Sequence, residues 1–348
     1  MYSLSNMAFA RTMTMRAVVC PSAPIPPSKL VYNVSHPTPA PKQGHVLIRV
    51  KAFGLNRSEL FTRQGHSPGI TFPRVLGIEC VGLVEDAGGG SWNKGDVVAA
   101  IMGGMGRQFD GGYAEYTLVP KSAVSQPVRL PEGMSWADFA AVPETFLTAW
   151  GTLAQSLNLQ PTDTLLIRGG TTSVGLACST LARSSLFNCQ KVISTTRSPS
   201  KINAVEAAGA TDVIVDRTGE SIADQVKALT GGGGATKCVE LVGGTTLVDS
   251  CKSLTPTGVV SMIGCVSGEW TCKEFDPMMT LAPSKHLTMF GSATIDVANA
   301  PIQWIVDAAS RGELKLNLDK VFKMEEAGAA HEYMESNAAA GKVVCVVD

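Results

Sequence analysis

The 348-residue chain predicts an α/β protein of two units, a mostly antiparallel β unit and a doubly wound parallel sheet. Three observations predict it. Short strand-like runs punctuated by Gly and Pro fill the chain to about residue 130. From about residue 135, runs that are apolar throughout alternate with helical stretches, the pattern of a parallel sheet covered on both faces. A glycine-rich turn joins the first of those runs to the next helix.

In chain order, the first strand is expected at Met15–Cys20, before a Pro-rich loop, Pro21–Pro27. His45–Ala52 alternates apolar with polar residues, as a half-exposed strand should, and further strands are expected at Cys80–Glu85, Asp96–Ile101 and Tyr113–Val119. Ser135 followed by Asp138 reads as a capped start for one helix over Phe139–Leu153. Parallel strands are expected at Thr164–Arg168, Lys191–Thr196, Asp212–Asp216, Lys237–Val242, Gly258–Gly264 and His286–Gly291, with helices at Val174–Ser184 and Lys201–Ala208. Helices near Ile302–Arg311 and Glu325–Ser336 and a strand at Lys342–Val347 complete the chain.

Apolar residues make up 45% and charged ones 17%, a balance that favours a large buried core and excludes a disordered chain. The formal net charge of −1 gives no footprint for nucleic acid or an anionic membrane. No apolar stretch is long enough to span a bilayer. The nine cysteines are scattered without a C-x-x-C pair, which points to reduced thiols and the cytoplasm. Residues 1–15 hold one arginine and no acid, which fits either a plain N-terminal extension (1–14) or an organelle-targeting segment. The five histidines show no ligand spacing; His66 reads as a pocket-mouth or a solvated loop residue.

Glycines in Leu-Ile-Arg-Gly-Gly-Thr-Thr-Ser-Val-Gly (166–175) let backbone approach a pyrophosphate, and the N–H groups opening the next helix can bind it. Gly170, Thr171, Thr172, Ser173, Val174 and Gly175 are therefore candidate cofactor contacts, although such a turn can also be purely structural. An NAD site usually places an acid at the end of the following strand. Here that strand runs into Ser-Thr-Thr-Arg-Ser-Pro-Ser-Lys (194–201), where Arg197, Ser198 and Lys201 suit a 2′-phosphate, so NADPH is the expected cofactor.

Four further segments, Gly-Leu-Asn-Arg-Ser-Glu-Leu (54–60), Phe-Pro-Arg-Val-Leu-Gly-Ile-Glu-Cys-Val-Gly (72–82), Gly-Gly-Tyr-Ala-Glu-Tyr (111–116) and Gly-Lys-Val-Val (341–344), together with the glycine turn, give the chain a family likeness. From about Met15 onward it resembles the medium-chain dehydrogenase/reductase superfamily, most closely its zinc-free, quinone-oxidoreductase-like branch. The resemblance implies a GroES-like catalytic domain from residues 15–140 and 290–348 around a Rossmann domain over 141–289. Where zinc-dependent members carry Cys, His and Cys, this chain has Asn56, Ile78 and Glu144, a set unfit for catalytic zinc, and the structural-zinc cysteines are missing. No metal is expected. Without a Lewis acid, reduction of an enone, activated alkene or quinone is the implied chemistry.

Charge developing on a carbonyl oxygen then needs a donor, for which Ser58 and Asn56 are the candidates; either also reads as a helix cap. Glu144 reads as a general acid or base, or as salt-bridged support. The resemblance adds cofactor contacts at Arg57, Thr148, Gly243, Gly264 and Lys342, the last of which reads equally as a surface lysine. Phe61, where quinone oxidoreductases often have Tyr, and Tyr113 are candidate pocket residues. The implied partners are a small-molecule substrate and a second copy in a homodimer, with no nucleic acid or membrane. Competing readings are a trans-acting enoyl reductase of polyketide or other secondary metabolism, and an NADPH-binding, non-catalytic protein of the crystallin kind.

Overall fold

The first seven strands are β1 (Thr14–Cys20), β2 (Val31–Pro37), β3 (His45–Gly54), β4 (Arg74–Val75), β5 (Glu79–Asp86), β6 (Val97–Ile101) and β7 (Tyr116–Pro120). The protein is represented by a computed structural model that describes residues 13–217, 219–273 and 275–348. The N-terminal extension therefore lies outside the described residues, apart from its last two. β2, β1 and β4 form a small antiparallel sheet. β3 pairs antiparallel with both β5 and β7, and β5 pairs with β6. Val46, Ile48, Val50 and Ala52 on one face of β3 are buried, whereas His45 and Lys51 on the other are half-buried and Arg49 is exposed, the half-exposed strand that its alternation predicts. The expected strand at Tyr113 starts three residues later, because Tyr113 and Ala114 are taken up by β1 through a backbone hydrogen bond and an isolated bridge.

The second sheet holds β8 (Thr164–Arg168), β9 (Lys191–Thr196), β10 (Asp212–Val215), β11 (Ala235–Glu240), β12 (Leu254–Met262) and β13 (His286–Met289). They are all parallel, in the order β10-β9-β8-β11-β12-β13, the doubly wound arrangement. β11 ends two residues before Val242 because the Glu240 carboxylate accepts the N–H groups of Val242 and Gly243 and turns the chain. Leu165 and Ile167, buried to 0%, face one core cluster, whereas Leu166, also 0% exposed, faces another, as a sheet covered on both sides requires.

β14 (Leu318–Lys323) and β15 (Lys342–Val346) return to the first sheet, where β15 pairs antiparallel with β3 and parallel with β14. Both ends of the chain thus build that sheet. β2 and β14, absent from the sequence reading, are largely exposed edge strands with no apolar period to mark them. Helix Ile302–Ser310, expected with the first unit, buries Ile302, Ile305 and Val306 in the core shared with the parallel sheet.

Four helices position the site: α1 (Arg57–Arg63), α2 (Trp136–Ala140), α3 (Pro143–Gly151) and α4 (Ser173–Arg183). The single helix expected over 139–153 is split, since Pro143 has no N–H to continue a helix and instead opens α3. The Ser135 cap forms as expected, its hydroxyl accepting from Asp138 N–H at 3.1 Å. α3 packs on β5 and β6 on one side and on α4 on the other. Its first two turns, with Glu144 and Thr148, are therefore fixed in the cleft between the sheets.

Candidate active site

One cavity of about 1490 Å³ runs along that cleft, larger than the roughly 300–1000 Å³ of an ordinary ligand pocket. Its first end is built on the glycine turn. Thr172 caps α4, its hydroxyl accepting from Gly175 N–H at 3.0 Å, and the first turn of α4 carries no acid. The opening N–H groups and the positive helix end are thereby left to an anion. Gly169, Thr171, Thr172, Ser173 and Val174 border the cavity. Gly170 and Gly175, expected as contacts, serve packing instead: an added Cβ would lie 1.9 Å from Ser194 Oγ at the first and 2.6 Å from Gly169 O at the second.

Beyond β9, Arg197, Ser198 and Lys201 border the same cavity, joined by Arg57 from α1. Lys201 Nζ donates to the carbonyls of Asn337 and Ala339, both at 2.9 Å, and Arg57 donates to Asn337 Oδ1 at 2.6 Å. Burial first, and then the Arg197 charge, hold Arg57 below its ordinary pKa. Lys201 is lowered by burial and, in smaller part, by Arg197. Three neighbouring cations against neutral carbonyls form a site that an incoming phosphate would relieve. Glu335 near Arg57 and Asp319 near Lys201 offset this in part, while two other acids bordering the cavity are held by an arginine. Arg168, at the end of β8, grips Asp216 through Nε at 2.5 Å and Nη2 at 2.9 Å, and reaches Asp249 at 2.7 Å. Gly264 borders the cavity as expected; Gly243 does not, because its N–H is committed to Glu240 and Val242 and Thr246 line that stretch instead.

The other end is bordered by Asn56, Ser58, Phe61, Ile78, Arg107, Glu144 and Thr148. Beneath it lies a buried polar cluster. Lys342 Nζ donates to Glu79 Oε1 at 2.6 Å and to Asn56 Oδ1 at 2.7 Å, while Asn56 Nδ2 donates to Glu79 Oε1 at 2.8 Å. Glu79 Oε2 accepts from the backbone of Glu144 at 2.8 Å. Glu59 accepts from the N–H groups of Asn56 at 3.0 Å and Ile78 at 2.9 Å, and burial pushes its carboxyl up to about 7.

This cluster corrects three expectations. Lys342 is neither a surface residue nor a lining residue of the cavity: it is 1% exposed and neutralises Glu79. Asn56 reaches the cavity, but both ends of its amide already serve the cluster, which makes it a positioning group. Tyr113 is 0% exposed, stacked on Phe53 with centroids 4.3 Å apart, and does not line the cavity. Phe61 does line it, edge-on to Trp270 at 5.2 Å. His66 is exposed beside Phe61. Asn56, Ile78 and Glu144 remain unsuited to a divalent metal because Ile78 offers no donor atom.

Sequence reasoning missed Arg107 and Glu79. Arg107 reaches in from the glycine loop and donates to Ser58 Oγ at 2.6 Å, which leaves the serine proton free to point elsewhere. Its Nε is buried without a hydrogen-bond partner among the described residues. The signal for both was charge out of place, an arginine within glycines and an acid inside an apolar strand.

Comparison with known proteins agrees with this geometry. Residues 42–132 match the family "Alcohol dehydrogenase GroES-like domain" and residues 208–345 match "Zinc-binding dehydrogenase". The rat quinone oxidoreductase is 28% identical over 317 residues, covering 89% of this chain and 91% of that protein. A quinone oxidoreductase-like protein 2 homolog of Nematostella vectensis is 32% identical over 257 residues, 73% of this chain and 66% of that one. Among solved structures, the quinone oxidoreductase of Pseudomonas syringae pv. Tomato DC3000 is 25% identical with a TM-score of 0.82, over 95% of this chain and 99% of that one. A mycobacterial protein solved in complex with NADPH is 26% identical, with a TM-score of 0.82 over 96% of this chain and all of its own. The chain belongs to the medium-chain dehydrogenase/reductase superfamily, as an oxidoreductase of its zinc-free, quinone-oxidoreductase-like branch.

Proposed function

We propose that the protein is an NADPH-dependent reductase of a small molecule bearing an activated double bond or a quinone. One observation carries this reading: a single cavity joins the α4 phosphate cradle and the Arg57–Arg197–Lys201 cations to the Ser58–Arg107–Glu144 end. The NADPH-bound mycobacterial structure supports the cofactor assignment. When bound, NADPH supplies hydride. Thr171, Ser173 and Val174 are assigned to its pyrophosphate, Arg197, Ser198 and Lys201 to its 2′-phosphate, and Arg57, Thr148 and Gly264 to the remainder. Ser58 turns its free proton toward the substrate's carbonyl oxygen, and the Arg107 charge behind it strengthens that donor as negative charge develops. Phe61 and the partly exposed Trp270 give one wall of that end an aromatic face.

We assign a homodimer formed through the edge of the parallel sheet. Nine free cysteines, eight of them buried, suit the reducing cytoplasm. Among the described residues no helix is long and apolar enough to cross a membrane.

The test is NADPH oxidation with deuterium on the transferring position, against enones, enoyl thioesters and quinones, with mass analysis of the products. Deuterium on the carbon β to a carbonyl is the expected result for an alkene. Tight NADPH binding with no turnover across the panel would overturn the reductase reading in favour of a binding role.

A further inference from the structure

The buried cluster around the substrate end holds three carboxyl groups, Glu59, Glu79 and Glu144, and one ammonium, Lys342. They are not equivalent. Glu79 has the ammonium at 2.6 Å, and Glu59 accepts two backbone N–H groups, so both have partners suited to a negative charge. Glu144 has only hydroxyls. Its Oε1 accepts from Ser292 at 2.8 Å and from Thr148 at 3.0 Å. Its Oε2 is buried, has no partner among the described residues, and belongs to a side chain that borders the cavity.

A carboxyl with two donors on one oxygen and none on the other carries its proton on the second. Resting on the reductase reading above, we propose that Glu144 is the acid that delivers a proton from Oε2 to the α-carbon of an activated alkene. Hydride adds to the β-carbon and the π pair shifts to give an enolate, whose oxygen is held by Ser58. The enolate pair then takes the Glu144 proton to form the α C–H bond, leaving a carboxylate that water reprotonates. One hydride and one proton are consumed per double bond.

The surroundings keep the acid neutral. The charged groups acting on it are Glu79 on β5, which opposes ionisation, and Lys342 on β15, which favours it from behind Glu79. The first turn of α3 also favours the anion. Burial outweighs these, and with Glu79 it pushes Glu144 up to about 7. An acid poised there holds its proton near neutral pH and releases it readily to a carbanion.

The test is reduction in D₂O of a cyclic enone with a methyl group on its α-carbon, using wild type and Glu144→Gln. The amide matches the carboxyl in shape but has no acidic proton. Wild type is expected to place solvent deuterium on one face of the α-carbon. Glu144→Gln is expected to lose that facial selectivity and about 100-fold in kcat, with cofactor deuterium still arriving at the β-carbon. Retained α-selectivity in Glu144→Gln would overturn the proposal while leaving the reductase reading intact. Failure of wild type to deliver hydride to the β-carbon of any alkene would remove both. An infrared pH titration of the cofactor-free protein gives a second readout. A protonated-carboxyl band that disappears across about pH 7 and is absent in Glu144→Gln supports the assignment, and a Glu144 ionised already at pH 5 overturns it.

Discussion

Lys342 on the last strand and Glu79 on β5 meet at 2.6 Å with 1% and 0% of their side chains exposed. The pair ties the end of the chain to the floor of the substrate site, since the other Glu79 oxygen holds the backbone of Glu144. Removing one partner of a buried pair leaves an uncompensated charge, a loss of about 3–5 kcal/mol. Lys342→Met is expected to lower the unfolding free energy by that order. The double variant Lys342→Met/Glu79→Gln should recover part of the loss, because no lone charge remains. Denaturant titrations of the three proteins check this; a double variant no better than the single would mean that packing, not charge, is what Lys342 provides.

The cationic end makes a separate prediction. Arg197→Ala should weaken NADPH binding by tenfold or more, on the order of 1.5–3 kcal/mol for a charged hydrogen bond, and leave NADH nearly unchanged. Lys201→Ala should show the same selectivity with a smaller loss. Its ammonium must first leave the carbonyls of Asn337 and Ala339, so part of its binding energy is already committed. Fluorescence titration with both cofactors measures it, and equal losses for the two would remove the 2′-phosphate assignment.

These residues also mark what the sequence made legible. Arg197 and Lys201 were readable because a single position, the end of the strand after the glycine turn, decides between an acid and a cation. The parallel strands were legible because burial on both faces leaves apolar runs, and β8 and β9 fall at the expected residues. Lys342 was not legible. Nothing near Gly-Lys-Val-Val indicates that its partner lies 263 positions away, because a buried ion pair is made by topology and leaves no local period. Arg107 stands out as a charge among glycines, but nothing local indicates its hydrogen-bond partner Ser58, 49 residues distant. The edge strands β2 and β14 lacked the apolar face that gives a strand its signature.

Glu144 and Glu59 set a pH dependence of stability. Both carboxyls are raised to about 7 in the folded chain against an ordinary value of 4.5. Between those values the native state holds protons that the unfolded chain has released, so stability falls as pH rises from about 4.5 to 7. Glu144→Gln abolishes one of the two titrations. It should therefore gain stability relative to wild type at pH 8 compared with pH 5, as read from denaturation midpoints at the two values. A difference between the proteins that does not change with pH would show Glu144 to be ionised throughout.

The edge of the parallel sheet makes the last prediction. β13 pairs on one side only, with β12, so its other side presents unpaired backbone groups. Exposed apolar side chains cluster in sequence around it: Met289 at 74%, Leu287 at 39%, and Met278 and Met279 at 82% and 78%. A lone strand edge with such side chains invites pairing, which proteins normally block with charge or cover. If a second copy covers it, Leu287→Lys/Met279→Lys, at two positions that do not line the cavity, should convert the dimer to a monomer in light scattering, with fold and NADPH affinity kept. A wild-type protein that is already monomeric at micromolar concentration would remove the dimer and leave that edge in need of another partner.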